Sequence, residues 1–464
     1  MDTIWPPDFA NSRDPKYIVL IQSLRAAIRA GGLPNGARLP PVRELAWQLG
    51  ITPGTVARVY RMAVEEGLVE TTVGRGTFVR GGMVTSAPEP EDALLTSVPR
   101  DEVDFRAVRV PDLGQAEVIR RGLHALAEST GRPYTDYPTG ETDAAARAAV
   151  ARWIGPDRAG PLGPEDIVLG VGAQNTVIMI LQALLHGAAP VILTEELAYP
   201  GVRHAARLLR ARVVGLEMDG EGVRPDRMEA ALRRDGAQVF LTAGDVHSPT
   251  TLRTSVARRQ EIAELARTYQ IQIIEDDCHC ISRPEAPGYR AICPERAWYV
   301  SSLTKSVSAA LRFGYAACAR GQADAARQVA QSSFYGMPQP MLDLCADMLA
   351  SGEAERIRAE VEADARARVR AAVNLLGQWD ITWRPEVPFL WLNLPQGWRG
   401  STFTRACEAE GIQIKPADEF ALPDGRAPNA VRIGLNAIRE PGRFEAALSR
   451  VSALLAAPPV NVDL

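Results

Sequence analysis

Three lysines stand among the 52 basic residues: Lys16, Lys305 and Lys415. Arginine carries nearly every other positive charge, so each lysine raises the question of what arginine could not do there. Only the lysine amine can lose its proton and attack a carbonyl carbon. Lys305 has the setting for it. It lies in SSLTKSVSAALRFGY, behind a strand-like run and among small side chains, and an apolar neighbourhood depresses an amine's pKa. That makes it a Schiff-base candidate, with Arg312 seven residues further on. Upstream, IIEDD closes an apolar run with Asp276 and Asp277. A carboxylate at the C-terminal end of a strand can hold a protonated pyridine nitrogen. GVGAQNTV (170–177) reads as a glycine-rich strand-to-helix turn, whose open N–H groups at Ala173 and Gln174 suit a phosphate. Tyr199, in TEELAYPG, is placed to stack on a ring. Each piece alone is a weak signal. Their order along the chain (glycine turn, aromatic, Asp, Lys, Arg) fits a phosphate-bearing pyridine aldehyde.

The run Cys278-His279-Cys280 invites a metal reading. Neighbours at a strand end point to alternate sides, and zinc ligands are spaced more widely, so no metal site is expected. The other histidines, His124, His186, His204 and His247, read as packing or surface residues. Six scattered cysteines form no disulfide framework and read as reduced thiols.

These residues need elements to hold them. From residue 104 onward strand-like and helix-like patterns alternate. Strands fit 167–171, 190–194, 238–242, 271–275, 297–301 and 313–318, with amphipathic stretches such as 174–186 and 256–268 between them. That predicts an α/β domain with a mostly parallel sheet covered by helices. A helix-like stretch at 352–378 precedes PFLWLNL, IQIKP and AVRIGL, which predicts a smaller α+β lobe over about 350–464. Ahead of all this, residues 17–31 place Ile21, Leu24 and Ile28 on one helical face. Further helices fit 41–49 and 53–66, the last with Thr52 as N-cap and Pro53 in its first position. Val56, Val59, Tyr60 and Ala63 form its inward face, and LVETTVGRGTFVR reads as two short strands about a Gly-Arg-Gly turn. Three helices and a hairpin predict a winged helix-turn-helix over 12–80. Residues 81–103, rich in Pro, Gly, Ser and acidic side chains, read as a linker to the domain 104–464.

Composition bounds the class. With 46% apolar and 23% charged residues in 464, the chain reads as globular and multidomain. It lacks any apolar run near the roughly 20 residues that span a bilayer, and its N-terminus has no secretory pattern, so a cytoplasmic location is expected. Charge is uneven: residues 16–80 hold nine basic and four acidic residues, while the whole chain is at −4. A basic head on an acidic body points to a polyanion partner for the head alone.

The segment LPPVRELAWQLGITPGTVARVYRMAVEEGLVETTVGRGTFV resembles the DNA-binding domain of GntR-type bacterial repressors along nearly its full length. The resemblance implies operator DNA as partner. Thr55 and Arg58, near the start of the helix that Thr52 caps, can reach base edges in a major groove. Arg43, opening the preceding helix, suits a phosphate or base contact. The tip Gly74-Arg75-Gly76 is small enough to probe a minor groove.

Residues 104–455 resemble the fold-type I aminotransferases, and fused behind such a head the whole looks like a MocR-subfamily regulator. The resemblance implies pyridoxal 5'-phosphate as cofactor. Lys305 would form the internal aldimine, Asp276 would meet the pyridine nitrogen and Tyr199 would stack on the ring. Ser302 and Arg312 would join Ala173 and Gln174 around the phosphate. Arg432, in VRIGLNA, matches the arginine that grips a ligand carboxylate. A homodimer is implied as well. Two positions depart from the family pattern. EDDCHCISRPE puts Cys278 where a tyrosine hydrogen-bonds the ring's phenolic oxygen, and AGDVHSPTT replaces the Asn-Pro-Thr-Gly of working aminotransferases. Both weigh against turnover more than against cofactor binding. The reading is therefore a regulator that senses an amino compound through Lys305 and controls an adjacent operon. The alternatives are an active aminotransferase with a DNA-binding head and a regulator of vitamin B6 genes that senses the coenzyme itself.

Overall fold

The computed structural model describes residues 16–29, 32–33, 36–65, 68–72, 76–79, 102–129, 134–422, 425–435 and 440–458. The chain divides into two units, Met1–Leu95 and Thr96–Leu464. Most of the stretch read as a linker, 81–101, lies outside the described residues, as do Gly74 and Arg75.

In the first unit the helices Lys16–Arg29, Val42–Gln48 and Pro53–Glu65 precede an antiparallel pair, Val69–Thr72 with Gly76–Val79. The apolar periodicity explains the packing. Leu20, Ile21 and Leu24 of the first helix meet Val56, Val59, Tyr60 and Ala63 of the third, all buried, with Val69 and Val79 closing the core from the hairpin. Each such aliphatic side chain contributes about 1.5–3 kcal/mol on burial. Thr52 Oγ1 accepts the N–H of Thr55 at 3.3 Å, capping one orphan donor of the third helix. The winged helix-turn-helix pattern is present.

The second unit is built on a seven-stranded sheet in the order Ile167–Val171, Phe313–Ala317, Ala297–Ser302, Gln272–Asp276, Val239–Thr242, Val191–Glu195, Arg212–Leu216. Phe313–Ala317 runs antiparallel to both neighbours, and the other adjacent pairs are parallel. The edge strand Arg212–Leu216 escapes the sequence reading because only Leu216 of its five residues is buried. Strands such as Val191–Glu195 are buried along their whole length, as a sheet covered on both faces requires.

A second sheet of four strands, Ile381–Thr382, Phe389–Asn393, Ala430–Gly434 and Lys415–Pro416, forms the smaller lobe. The helix Glu353–Leu376 runs toward it, burying Val361, Ala365, Val369, Ala372 and Leu376 at three- and four-residue intervals. This lobe is not purely C-terminal. Val103, the last residue read as linker, and Asp104 pair in parallel with Ile412–Gln413, and Val103 and Phe105 enter the lobe's core. Their period-2 spacing puts both on one face. Among the described residues no helix is long and apolar enough to cross a membrane.

Candidate cofactor pocket and nucleic-acid-reading face

The parallel strands end on one edge of the large sheet, where open α/β sheets bind ligands. Asp276 ends one strand and Ser302 another. The turn Val171-Gly172 leads from the first strand into the helix Gly172–Leu184, and Arg312 immediately precedes the antiparallel strand that starts at this edge.

Two glycines shape the turn. Gly172 has φ +78, and a Cβ there would lie 2.7 Å from Arg312 Cζ. A Cβ at Gly314 would lie 2.6 Å from the Gly172 carbonyl oxygen. Glycine at both lets the antiparallel strand press against the turn and brings the Arg312 guanidinium over the helix N-terminus, where Nη2 donates to Val171 O at 3.2 Å. No side chain caps this 13-residue helix. Its first-turn N–H groups, at Ala173 and Gln174, are the donors a helix leaves unmet. The Gln174 side chain turns away and donates to Gly201 O at 2.8 Å, which ties the helix to the Tyr199 turn.

Lys305 follows the strand that ends at Ser302. Its Nζ donates to Val108 O. Burial first, then the charge of Arg432, with smaller contributions from Arg109 and Arg312, pushes the amine's pKa down to about 8. Asp276 Oδ1 accepts the N–H of Cys278 at 3.2 Å. Burial raises this carboxyl, and the Lys305 charge opposes the rise. Tyr199 keeps 39% of its surface exposed, while loss of water around its hydroxyl, then the charges of Asp276 and Cys278, push it up to about 12, and Arg432 and Arg312 pull the other way. The structure thus brings Lys305, Asp276, Tyr199, Arg312 and Arg432 within electrostatic reach of one another.

Arg432 is buried. Its Nη1 donates to Ser248 Oγ at 3.0 Å and its Nη2 to Arg106 O at 2.6 Å. Phe420 and Phe389 flank the guanidinium at 4.9 and 5.4 Å from their ring centroids, and Nε has no partner. No carboxylate of the described residues forms an ion pair with it within 4.0 Å. Burial works against its charge, and only Glu419, Tyr199 and Asp104 favour it from a distance. A buried cation without an ion-pair partner is costly, and an acid group on a ligand would relieve that cost.

The Cys-His-Cys run diverges. Cys278 Sγ lies 3.9 Å from Ser302 Oγ, Cys280 Sγ donates to Asp245 Oδ2 at 2.7 Å, and the His279 ring meets Phe389 edge-on at 5.2 Å. The three do not converge on one ion. Cys280 does approach Asp245 and Asp277, the ligand atoms lying within 4.8 Å of one another. Arg253 and Arg158 already pair with those carboxylates.

Sequence reasoning missed the Val108 and Arg106 carbonyls, since any residue offers one, and missed Phe389 and Phe420, whose type gives no sign of a place beside a guanidinium. The unpartnered buried atoms of the pocket region, Thr304 Oγ1, Ser306 Oγ, His279 Nδ1 and Arg432 Nε, are polar capacity that a polar ligand can use. Together with the glycine-opened helix N-terminus, they fit a phosphate-bearing aldehyde cofactor.

On the first unit, Arg43, Thr52 and Arg58 are exposed and Thr55 is half-buried. Thr52 and Thr55 share a hydrogen bond between hydroxyls at 2.9 Å. The Arg58 guanidinium stacks 3.8 Å above the Tyr17 ring, a partner the sequence did not suggest. Arg38 approaches the start of the second strand so closely that a Cβ at Gly76 would meet its Nε at 2.9 Å, which adds a second arginine near the wing.

Comparisons with known proteins bear on both units. The family model "Bacterial regulatory proteins, gntR family" matches residues 16–79, and "Aminotransferase class I and II" matches residues 101–451. The latter family is pyridoxal-phosphate dependent. The chain is 25% identical over 456 residues to the HTH-type transcriptional regulator YdeF of Bacillus subtilis, covering 97% of this chain and 96% of that one. It is 22% identical over 365 residues to the probable rhizopine catabolism regulatory protein MocR of Rhizobium meliloti, covering 73% and 72%. Among solved structures it resembles LysN, the α-aminoadipate aminotransferase of Thermus thermophilus complexed with N-(5'-phosphopyridoxyl)-L-leucine. The TM-score is 0.68 at 21% identity, over 76% of this chain and 92% of that one, which establishes the fold.

Proposed function

Because the chain belongs to the aminotransferase class I and II family across residues 101–451 and carries a gntR-family head at 16–79, we propose that it is a MocR-type transcription regulator whose body, holding pyridoxal phosphate, reports an amino compound to a DNA-bound head. One observation carries the reading. In a chain with three lysines, Lys305 is held in a pocket that lowers its pKa to about 8, beside a buried and unpaired Arg432.

When bound, the coenzyme supplies an aldehyde that bonds primary amines reversibly. The chain's residues divide the remaining work. At pH 7 an amine of this pKa is roughly a tenth unprotonated, against a few parts in ten thousand for an ordinary lysine, so Lys305 is a competent nucleophile. The Ala173 and Gln174 amides, Ser302 and Arg312 would hold the phosphate. Asp276 would face the pyridine nitrogen and keep it protonated, and Tyr199 would cover the ring. Arg432 would seat the ligand's acid group as a planar bidentate donor. A ligand whose acid group engages Arg432 would gain contacts in one state of the body that it lacks in another, which is what a population shift requires. Two heads on a homodimer would raise the effective concentration on paired half-sites.

The test has two readouts. Purified protein incubated with pyridoxal phosphate should develop a visible absorbance band that Lys305→Ala abolishes. The same preparation should shift a fragment of its own promoter at moderate salt. Material that stays colourless defeats the role of the body, and material that ignores the fragment defeats the role of the head. Release of keto acid from an amino donor at a rate sufficient for metabolism would make it an enzyme instead.

A further inference from the structure

Cys278 stands where the family pattern has a tyrosine, and its thiol turns to Ser302. The next residue fills a different gap. His279 packs edge-on against Phe389, ring centroids 5.2 Å apart, and the Arg432 guanidinium carbon lies 5.4 Å from the centroid of that same ring. One aromatic wall therefore serves both groups. His279 Nδ1 is shut off from solvent and has no hydrogen-bond partner. The charged groups facing the imidazole from other elements are Lys305, ahead of Arg432. Its own stretch supplies Cys278 and Cys280, whose thiols burial holds protonated. Burial and the two cations keep the ring neutral.

Resting on the proposed function, we infer that His279 Nδ1 is the base that takes the proton from the ammonium group of an incoming amino acid whose acid group occupies Arg432. The step balances as a single proton transfer. The N–H bond of the ammonium breaks and leaves its electron pair on the ligand nitrogen, an N–H bond forms at Nδ1, and the neutral imidazole becomes an imidazolium. The nitrogen so freed is the nucleophile that this chemistry needs. The geometry also sets the ligand class. Arg432 opposes an imidazolium at this position, and a carboxylate or sulfonate seated on it offsets that charge. A simple amine has no such group and leaves that charge unopposed. The site is therefore selective for amino acids carrying an acid group, not for amines in general.

The experiment uses full-length protein loaded with pyridoxal phosphate and stopped-flow absorbance. A panel of glycine, β-alanine, γ-aminobutyrate and taurine is screened with the unaltered protein, and the responding compound is compared with methoxyamine, which is unprotonated at neutral pH and needs no base. His279→Phe should react with the amino acid at least about tenfold more slowly at pH 7. The deficit should shrink as pH rises toward the ligand's own ammonium pKa. Methoxyamine should react at the same rate in both proteins. Equal rates with the amino acid would overturn the inference. So would equal slowing with methoxyamine, because the ring would then only shape the pocket. His279→Gln makes the same comparison if the phenyl ring disrupts the loop. A colourless unaltered protein, or one that no compound of the panel perturbs, sinks the proposed function itself and is distinguishable from either result.

Discussion

Gly172 and Arg312 share a space that admits no side chain between them: a Cβ at 172 would sit 2.7 Å from Arg312 Cζ. The guanidinium end of an arginine can move aside, so the collision itself is cheap. Its consequence falls on the phosphate cradle, because the displaced guanidinium loses its 3.2 Å contact to Val171 O. The positive φ of Gly172 adds strain of about 1–3 kcal/mol for any other residue. Gly172→Ala should therefore weaken coenzyme binding at least about tenfold, with a melting-temperature loss of only a few degrees. Absorbance titration beside a thermal scan separates the two. A variant with unchanged affinity would show that Arg312 does not serve the phosphate.

The lowered pKa of Lys305 has a kinetic signature. An amine reacts in its deprotonated form, so the rate of band formation should climb about tenfold per pH unit below the pKa and level off above it. The plateau should begin near the value of about 8 that burial and Arg432 impose, where an ordinary lysine would keep accelerating past 10. Arg432→Met removes the largest of the charges that hold the amine down, so the bend should move to higher pH. A bend that stays in place would mean that burial alone tunes the amine.

Arg58 stacks on Tyr17 at 3.8 Å, which restricts a side chain that the proposed DNA contact would otherwise have to order. Arg58→Ala should weaken operator binding by about 1–3 kcal/mol and relax sequence preference at one position. Tyr17→Ala should cost less, about 0.5–1 kcal/mol, and Tyr17→Phe should cost almost nothing, since the ring face does the holding. Fluorescence anisotropy on matched and mutated operators reads all three. If Tyr17→Ala binds more tightly, the stack restrains Arg58 away from DNA and the role of Tyr17 is reversed.

Much of this was legible in the sequence, and the reasons are physical. The strand Ile167–Val171 is buried over its first four residues, so it appears as an unbroken apolar run. The helix 256–268 is bounded by its capping serine. The residues proposed for the pocket follow strand ends, where type and position together limit what a side chain can do. What stayed hidden depends on long-range closure. Val103 read as linker because one apolar residue carries no weight until Ile412–Gln413 is known to lie beside it. The seat of the Lys305 amine on Val108 O is a backbone contact between positions far apart in sequence, and no residue type announces it. His279 read only as part of a run that invites a metal reading and fails it, because the groups that share a wall with it, Phe389 and Arg432, come from the smaller lobe.

Arg432 offers the sharpest division between ligand recognition and the rest of the machinery. Its partners, Ser248 Oγ and Arg106 O, are neutral oxygens that can find other donors, so losing the guanidinium leaves no buried charge behind. Arg432→Met keeps much of the side-chain volume between Phe420 and Phe389 and removes the only element of the pocket proposed to grip an acid group. Charge-assisted hydrogen bonds of this kind contribute about 1.5–3 kcal/mol, which predicts a ten- to hundredfold loss of affinity for an acid-bearing effector. Arg432→Lys should recover only part of it, because a point charge cannot reproduce the fork. Operator binding without effector should be unchanged in both variants, since the head does not involve this residue. The measurement is a spectral titration with the responding amino acid beside an operator shift at fixed coenzyme. An effector affinity that survives Arg432→Met would place the acid group elsewhere and remove the basis for selecting amino acids over amines.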